Sequence, residues 1–236
     1  MDGMVMLYVP GGVFQMGSAE SDSLAHFDEK PQHPVTLDAF WVDRTEVTNA
    51  QYKKCVQAGA CKPSEFPDSW GTNGDDQPVV GVSWYDAGAY CQWAGAALPT
   101  EAQWEKAARG TDGHIYPWGD NAPTCELAVM VEGGQEGCGK KPAWPVGSKP
   151  KGASPYGALD MAGNVGEWVQ DWYDEHSYTA EAQTNPTGAT KGTHKVLRGS
   201  SWYCTDARCV RAAFRDAYPP EKRNTGMGFR CVIAAP

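Results

Sequence analysis

The sequence predicts an irregular, loop-rich α+β fold, in which short helices and short strands are joined by long loops. Three observations lead to it. The 236 residues include 27 Gly and 17 Pro scattered along the chain, so long helices and long strands are both scarce. Hydrophobic residues make up 41% and charged residues 21%, a globular composition on a chain long enough to bury a core. Ten tryptophans are then expected to supply much of the buried area, because each aromatic ring covers a large surface.

The elements can be placed in order. Residues 5–16 read as a strand, a Pro-Gly-Gly turn and a second strand. Residues 18–34 are polar and read as a surface loop. Residues 35–42 alternate apolar and polar positions as a half-buried strand does. Thr48 with Gln51, Ser83 with Asp86, and Thr100 with Gln103 have capping-box spacing and open three helices. These end near Gly59, Gly95 and Gly110. From there to Gly152 the chain is almost all turn and loop. Residues 161–172 are mixed, and residues 196–202 and 228–233 read as closing strands. No repeat, low-complexity tract or linker interrupts residues 1–236, which are expected to form one domain and to act as a monomer.

Charge excludes one class of partner. A net charge of −9 with no basic run argues against nucleic acid, whose phosphates need clustered Lys and Arg. No apolar run reaches membrane-spanning length, so membrane insertion is not expected. The eight cysteines are even in number and lack paired CxxC motifs, which points to disulfides and an oxidising compartment, secreted or periplasmic. Residues 1–8 are too short and lack the basic start of a signal peptide. Cys55 and Cys61 bracket the first helix end, where a bridge would close a short loop. The five histidines, His26, His33, His114, His176 and His194, have no zinc or iron spacing.

Seven segments together resemble the formylglycine-generating enzyme (sulfatase-modifying factor) family. They are VPGGVFQMGS (9–18), PQHPVTLDAFWVDRTEVTNAQY (31–52), VSWYDAGAYCQWAGAALPTEAQWEKAARG (82–110), YPWGD (116–120), SPYGALDMAGNVGEWVQDWY (154–173), VLRGSSWYC (196–204) and GMGFRC (226–231). The resemblance implies a variant of the C-type-lectin-like fold with small antiparallel sheets. It makes Trp84, Trp93, Trp104, Trp118, Trp168 and Trp172 packing residues.

The resemblance also implies a site. Family positions matching Asp160, Gly163, Val165 and Glu167 bind structural calcium, through two side chains and two backbone carbonyls, the hard oxygens that ion prefers. The family's second calcium position falls near Val129, which has no side-chain oxygen, and a Cys125–Cys138 disulfide is expected to tether that loop instead. Cys91 and Cys231 match a family disulfide, for which the chain-entropy account gives roughly 3–5 kcal/mol. Cys204 and Cys209 match a pair that holds Cu(I) in the aerobic enzymes, soft thiolates suiting that ion. The implied chemistry is oxygen-dependent oxidation of a cysteine, within a CxPxR-like peptide of an unfolded sulfatase, to formylglycine. Ser201 matches a serine beside the pair that could bond substrate or oxygen, or simply the backbone. Arg208 and Arg211 are close enough in sequence to favour thiolates.

Departures from the family pattern keep a second reading open. The chain after the pair, CVRAAFR, is about two residues shorter than in the enzymes. Gly166 stands where the family usually has Trp. Ala108 and Arg211 replace a further disulfide. The alternative is a non-catalytic binding module, with Cys204–Cys209 as a fourth disulfide and residues 201–223 as a display surface of the kind diversified by retroelements.

Overall fold

All three helices begin where the capping boxes place them. The computed structural model describes residues 2–66, 71–140 and 142–236. Its strands are β1 (Met6–Val9), β2 (Gly12–Met16), β3 (His33–Leu37), β4 (Phe40–Asp43), β5 (Gly166–Trp172), β6 (Gln183–Thr184), β7 (Lys195–Arg198), β8 (Asp216–Tyr218), β9 (Met227–Gly228) and β10 (Val232–Ala234). Its helices are α1 (Asn49–Gln57), α2 (Trp84–Trp93) and α3 (Glu101–Arg109). In each, the cap hydroxyl accepts from the third backbone N–H while that residue's side chain bonds the cap's own N–H.

Three small sheets carry the strands, in the orders β1-β4-β10, β2-β3-β6 and β8-β7-β5-β9. Pairing is antiparallel except at two edges, where two-residue strands β6 and β9 run parallel to β3 and β5. The Pro10-Gly11 turn joins β1 and β2 but pairs them with different sheets, β1 with β4 and β2 with β3. The alternating run at 35–42 is likewise split between two sheets. The second closing run is divided too, with β9 in one sheet and β10 in another.

Packing differs from the composition-based expectation in a way that matters for the site. Among the described tryptophans only Trp104 and Trp168 are fully buried, while Trp84, Trp93 and Trp118 are partly buried against the core. Trp172 flanks Lys195, whose Nζ lies 3.8 Å from its ring centre and 4.0 Å from that of Trp84. What the tryptophans do not supply is supplied by buried arginine. Arg198 bonds Glu101 and Glu105, Arg109 bonds Glu105, Arg215 bonds Glu101, Arg211 bonds Glu29, and Arg230 bonds Glu167. All of these side chains are buried. The loop at 18–34 therefore is not simply a surface loop: Asp28 and Glu29 are buried within it, and Glu29 anchors it to Arg211.

Candidate functional site

Cys204 and Cys209 lie on the loop that leaves β7. Gly199 and Ser200 take φ of +81° and +59°, a left-handed bend that turns the chain out of the sheet. Trp202 N–H then donates to the Asn164 carbonyl at 2.9 Å, and the Cys204 carbonyl accepts from Val131 at 2.9 Å. The loop is thus held by the Asp160–Glu167 turn on one side and by the residues around Cys125–Cys138 on the other. Cys204 is buried against Tyr116, Ala128, Met130, Ala162 and Val210, with Cys209 partly buried beside them.

The structure forms Cys55–Cys61, Cys91–Cys231 and Cys125–Cys138, and joins Cys204 to Cys209 in a fourth disulfide. The Asp206 carbonyl oxygen lies 3.0 Å from both sulfurs of that last pair. Ser201 is buried, its carbonyl accepts from Cys204 N–H, and its hydroxyl bonds the Tyr203 phenol. Burial raises the Tyr203 phenol above its ordinary value.

The arginines do not serve the sulfurs, contrary to expectation. Arg208 is engaged by Asp206, at 2.8 Å through Nε and 2.6 Å through its terminal nitrogen. Arg211 points into the protein, where it bonds Ser18, Asp22 and Glu29. Sequence proximity misleads here because a carboxylate within reach captures a guanidinium more strongly than a polarisable sulfur does.

The turn at 160–167 assembles a second set of oxygens. Asp160 and Asn164 have φ of +58° and +59°, a conformation Asn and Asp tolerate best among side-chain residues. Asp160 accepts from Gly147 N–H at 2.5 Å, and its carboxyl is close enough to that of Glu46 for the two to interact. Glu167 accepts two bonds from Arg230, at 2.6 and 2.7 Å, and one from Trp104 at 2.7 Å. Gly163 pairs with Val129, whose carbonyl would lie 2.4 Å from any Cβ there. Gly166 is required for a similar reason, since a Cβ would meet Leu197 at 2.6 Å.

Two residues outside the sequence-based selection, Glu46 and Asn164, prove central. Asn164 Nδ2 donates to Glu46 Oε1 at 3.0 Å and its Oδ1 accepts from Trp144 N–H at 2.8 Å. Glu46 Oε2 is buried without a hydrogen-bond partner. Three buried carboxylates, Glu46, Asp160 and Glu167, thus share the one guanidinium of Arg230. Burial and mutual repulsion push the Glu46 and Asp160 carboxyls up. All-oxygen donors and an orphaned carboxylate oxygen fit a hard cation. Yet among the described residues no three His, Cys, Asp or Glu side chains converge as a metal centre, so backbone carbonyls would have to complete the shell. No local signal flags Glu46, which continues the polar run Asp43-Arg44-Thr45 that leads into α1.

Burial gives a pH signature away from this turn. It pushes the carboxyls of Asp43 and Asp171 up to about 7, so the folded state binds protons that the unfolded chain releases above pH 4. Stability is expected to rise as pH falls from about 7 towards 5. Below that, Glu101 reverses the trend: burial alone would raise it, but Arg215 and Arg198 hold it below its ordinary value, so its protonation destabilises the fold. Calorimetry should show Tm at pH 5 above that at pH 7.5 by roughly 2–4 °C per kcal/mol gained. A Tm falling across that window would mean both acids are ionised in the folded protein.

Small mixed sheets around a buried arginine–glutamate framework, with a cysteine pair on a loop braced by a glycine-asparagine turn, define an irregular C-type-lectin-like α+β domain. The chain belongs to the formylglycine-generating enzyme (sulfatase-modifying factor) family, since residues 2–235 match its sulfatase-modifying factor enzyme 1-like domain. It is 34% identical to a formylglycine-generating enzyme of Streptomyces coelicolor, over 95% of this chain and 87% of that one. It is 32% identical to the Bos taurus formylglycine-generating enzyme, over 96% and 74%. Family members differ in activity: a hercynine oxygenase of Mycolicibacterium smegmatis is 32% identical over 94% of this chain and 59% of its own. Among solved structures, PvdO from Pseudomonas aeruginosa superposes with a TM-score of 0.80 at 25% identity, covering 98% and 94%.

Proposed function

We propose that the chain oxidises a peptidyl cysteine to formylglycine, using Cys204 and Cys209 in their reduced form to hold Cu(I). The observation that carries this reading is the side-by-side placement of the two sulfurs against an apolar wall, on a scaffold shared with enzymes of that name. Two soft sulfurs in apolar surroundings fit Cu(I) once the bridge takes up two electrons. When bound, that ion would supply the redox chemistry towards oxygen. The residues do the rest. Tyr116, Met130 and Val210 would keep water from Cys204, and the Ser201–Tyr203 hydroxyl pair would orient a substrate beside it. No arginine competes for the sulfurs, leaving thiolate stabilisation to the metal. Overall, the peptidyl thiol, oxygen and two molecules of an external thiol reductant become aldehyde, hydrogen sulfide, water and that reductant's disulfide.

Calcium is part of the same reading, held by Asp160, Glu167 and the Gly163 and Val165 carbonyls. The surplus buried negative charge around Arg230 supports it. A cysteine-containing peptide of a sulfatase is the substrate class, and four disulfides fit an oxidising compartment. No helix among the described residues is long and apolar enough to cross a membrane. The bridge itself favours a second reading, in which Cys204–Cys209 is a permanent clip on a binding module.

The reduced protein, Cu(I), oxygen and a CxPxR peptide should yield the mass loss of thiol-to-aldehyde conversion. Cys204→Ser and Cys209→Ser should each lose at least about 10³-fold in rate. Copper bound equally well by Cys204→Ser, with no conversion by the parent, would leave only the binding module. In a separate arm, calcium at a hundred times its Kd should add about 2.7 kcal/mol of stability over chelator-treated protein; an unchanged Tm would remove calcium from the reading.

A further inference from the structure

A cleft of about 440 Å³ opens beside β8, away from the cysteine pair, lined by His26, Asp28, Tyr173, His194, Phe214 and Asp216 among others. Its size falls within the range of small-molecule sites, about 300–1,000 Å³. Its charge is unbalanced. The Asp28 side chain is only 6% exposed. Its Oδ2 accepts from the Tyr173 hydroxyl at 2.8 Å, but its Oδ1 is buried with no hydrogen-bond partner. The nearest candidate, His26 Nδ1, stands 3.9 Å away, beyond hydrogen-bond reach.

A buried carboxylate oxygen without a donor is costly, and the neighbouring cation does not relieve it. Arg215 gives its guanidinium to both oxygens of Glu101 and to the Asp28 backbone carbonyl, not to Oδ1. Asp216 adds a second carboxylate, already bonded to Ala217 N–H and the Tyr218 phenol. The remaining wall is aromatic. Phe214 meets His26 edge-on at 6.5 Å, and Tyr173 also lines the cleft, with the Arg215 guanidinium 5.0 Å from its ring centre. Ring faces attract cations. Among the described residues no three metal-ligating side chains converge, which favours an organic cation over a metal ion.

We propose that this cleft is a binding site for a small organic cation, whose ammonium group pairs with Asp28 Oδ1 while its carbon body packs against Phe214 and Tyr173. The site is independent of the cysteine pair, so its occupancy does not depend on copper or on the oxidation reading.

The test is an NMR and calorimetric titration of the full chain with benzylamine, protonated at neutral pH, against benzyl alcohol and benzoate. Benzylammonium should bind with Kd below about 1 mM, at least tenfold tighter than the alcohol, and should shift the His26 and His194 ring signals. Asp28→Asn should cost at least tenfold in affinity. If that variant fails to fold, Phe214→Leu keeps the carboxylate and should still weaken binding severalfold. Equal affinity for amine and alcohol, or no ring-signal shift at saturating amine, would overturn the proposal. A lysine peptide binding more than tenfold tighter than benzylamine would also overturn it, replacing the small molecule by a protein partner.

Discussion

Replacing Arg230 by methionine is expected to destabilise the protein by about 3–5 kcal/mol, the cost of leaving a buried charge without its partner. Arg230 is completely buried and makes two bonds to Glu167. It also donates to the carbonyls of Asp43, Arg44 and Leu159. In calcium-free protein its loss strands Glu167 beside Glu46 and Asp160, three acids with no cation between them. The double variant Arg230→Met with Glu167→Gln removes the stranded charge and should recover part of the loss. Urea unfolding measures both. A single-variant loss below about 1 kcal/mol would show that the pair does not hold these segments together.

The second large effect is expected from the Cys91–Cys231 bridge. Its cysteines are 140 residues apart, and a loop of that size corresponds to about 4–5 kcal/mol of unfolded-chain restriction in the chain-entropy account. Cys91→Ala with Cys231→Ala removes it without leaving a reactive thiol. Both residues are buried, and Cys231 N–H donates to Asp43 Oδ2 at 2.8 Å. The damage should therefore spread to the pairing of β10 with β4. Amide exchange is expected to accelerate first at Val232 and at its partner Val42. The same substitution pair at Cys55 and Cys61, whose sulfurs close a six-residue separation, should cost markedly less. Equal losses for the two bridges would contradict the loop-length account.

The helices were legible because their signals are local: a capping residue, its partner three positions on, and a glycine at the end. The structural disulfide partners became legible through spacing and family resemblance. The ion pairs were not. Glu29 and Arg211 are separated by 182 positions, Glu101 and Arg198 by 97, and Glu167 and Arg230 by 63. Nothing in the neighbourhood of any one of these residues distinguishes it from a solvated surface charge. Hence residues 18–34 read as a surface loop although Glu29 is an anchor, and Arg211 read as a thiolate partner although it belongs to that anchor. The two-residue strand β6 was invisible, and β9 was not separable from β10, for a related reason, since a strand that short has no periodicity and is defined only by its neighbour. The turn at 160–167 was legible in its acids and glycine. It was not legible in Glu46, which reaches it from the loop between β4 and α1, 118 positions before Asn164.

The two neighbours of β4 come from opposite extremities of the chain, β1 before it and β10 about 190 residues after it. On a translating ribosome adding roughly 5–20 residues per second, β4 therefore waits about 10–40 s with one edge unsatisfied. During that interval an open strand carrying Trp41 is a template for other nascent chains. Completion of this sheet and closure of the Cys91–Cys231 bridge both wait for the same stretch, residues 231–234. A substitution that delays docking of β10 is therefore expected to leave β4 open for longer and to raise aggregation of the nascent chain.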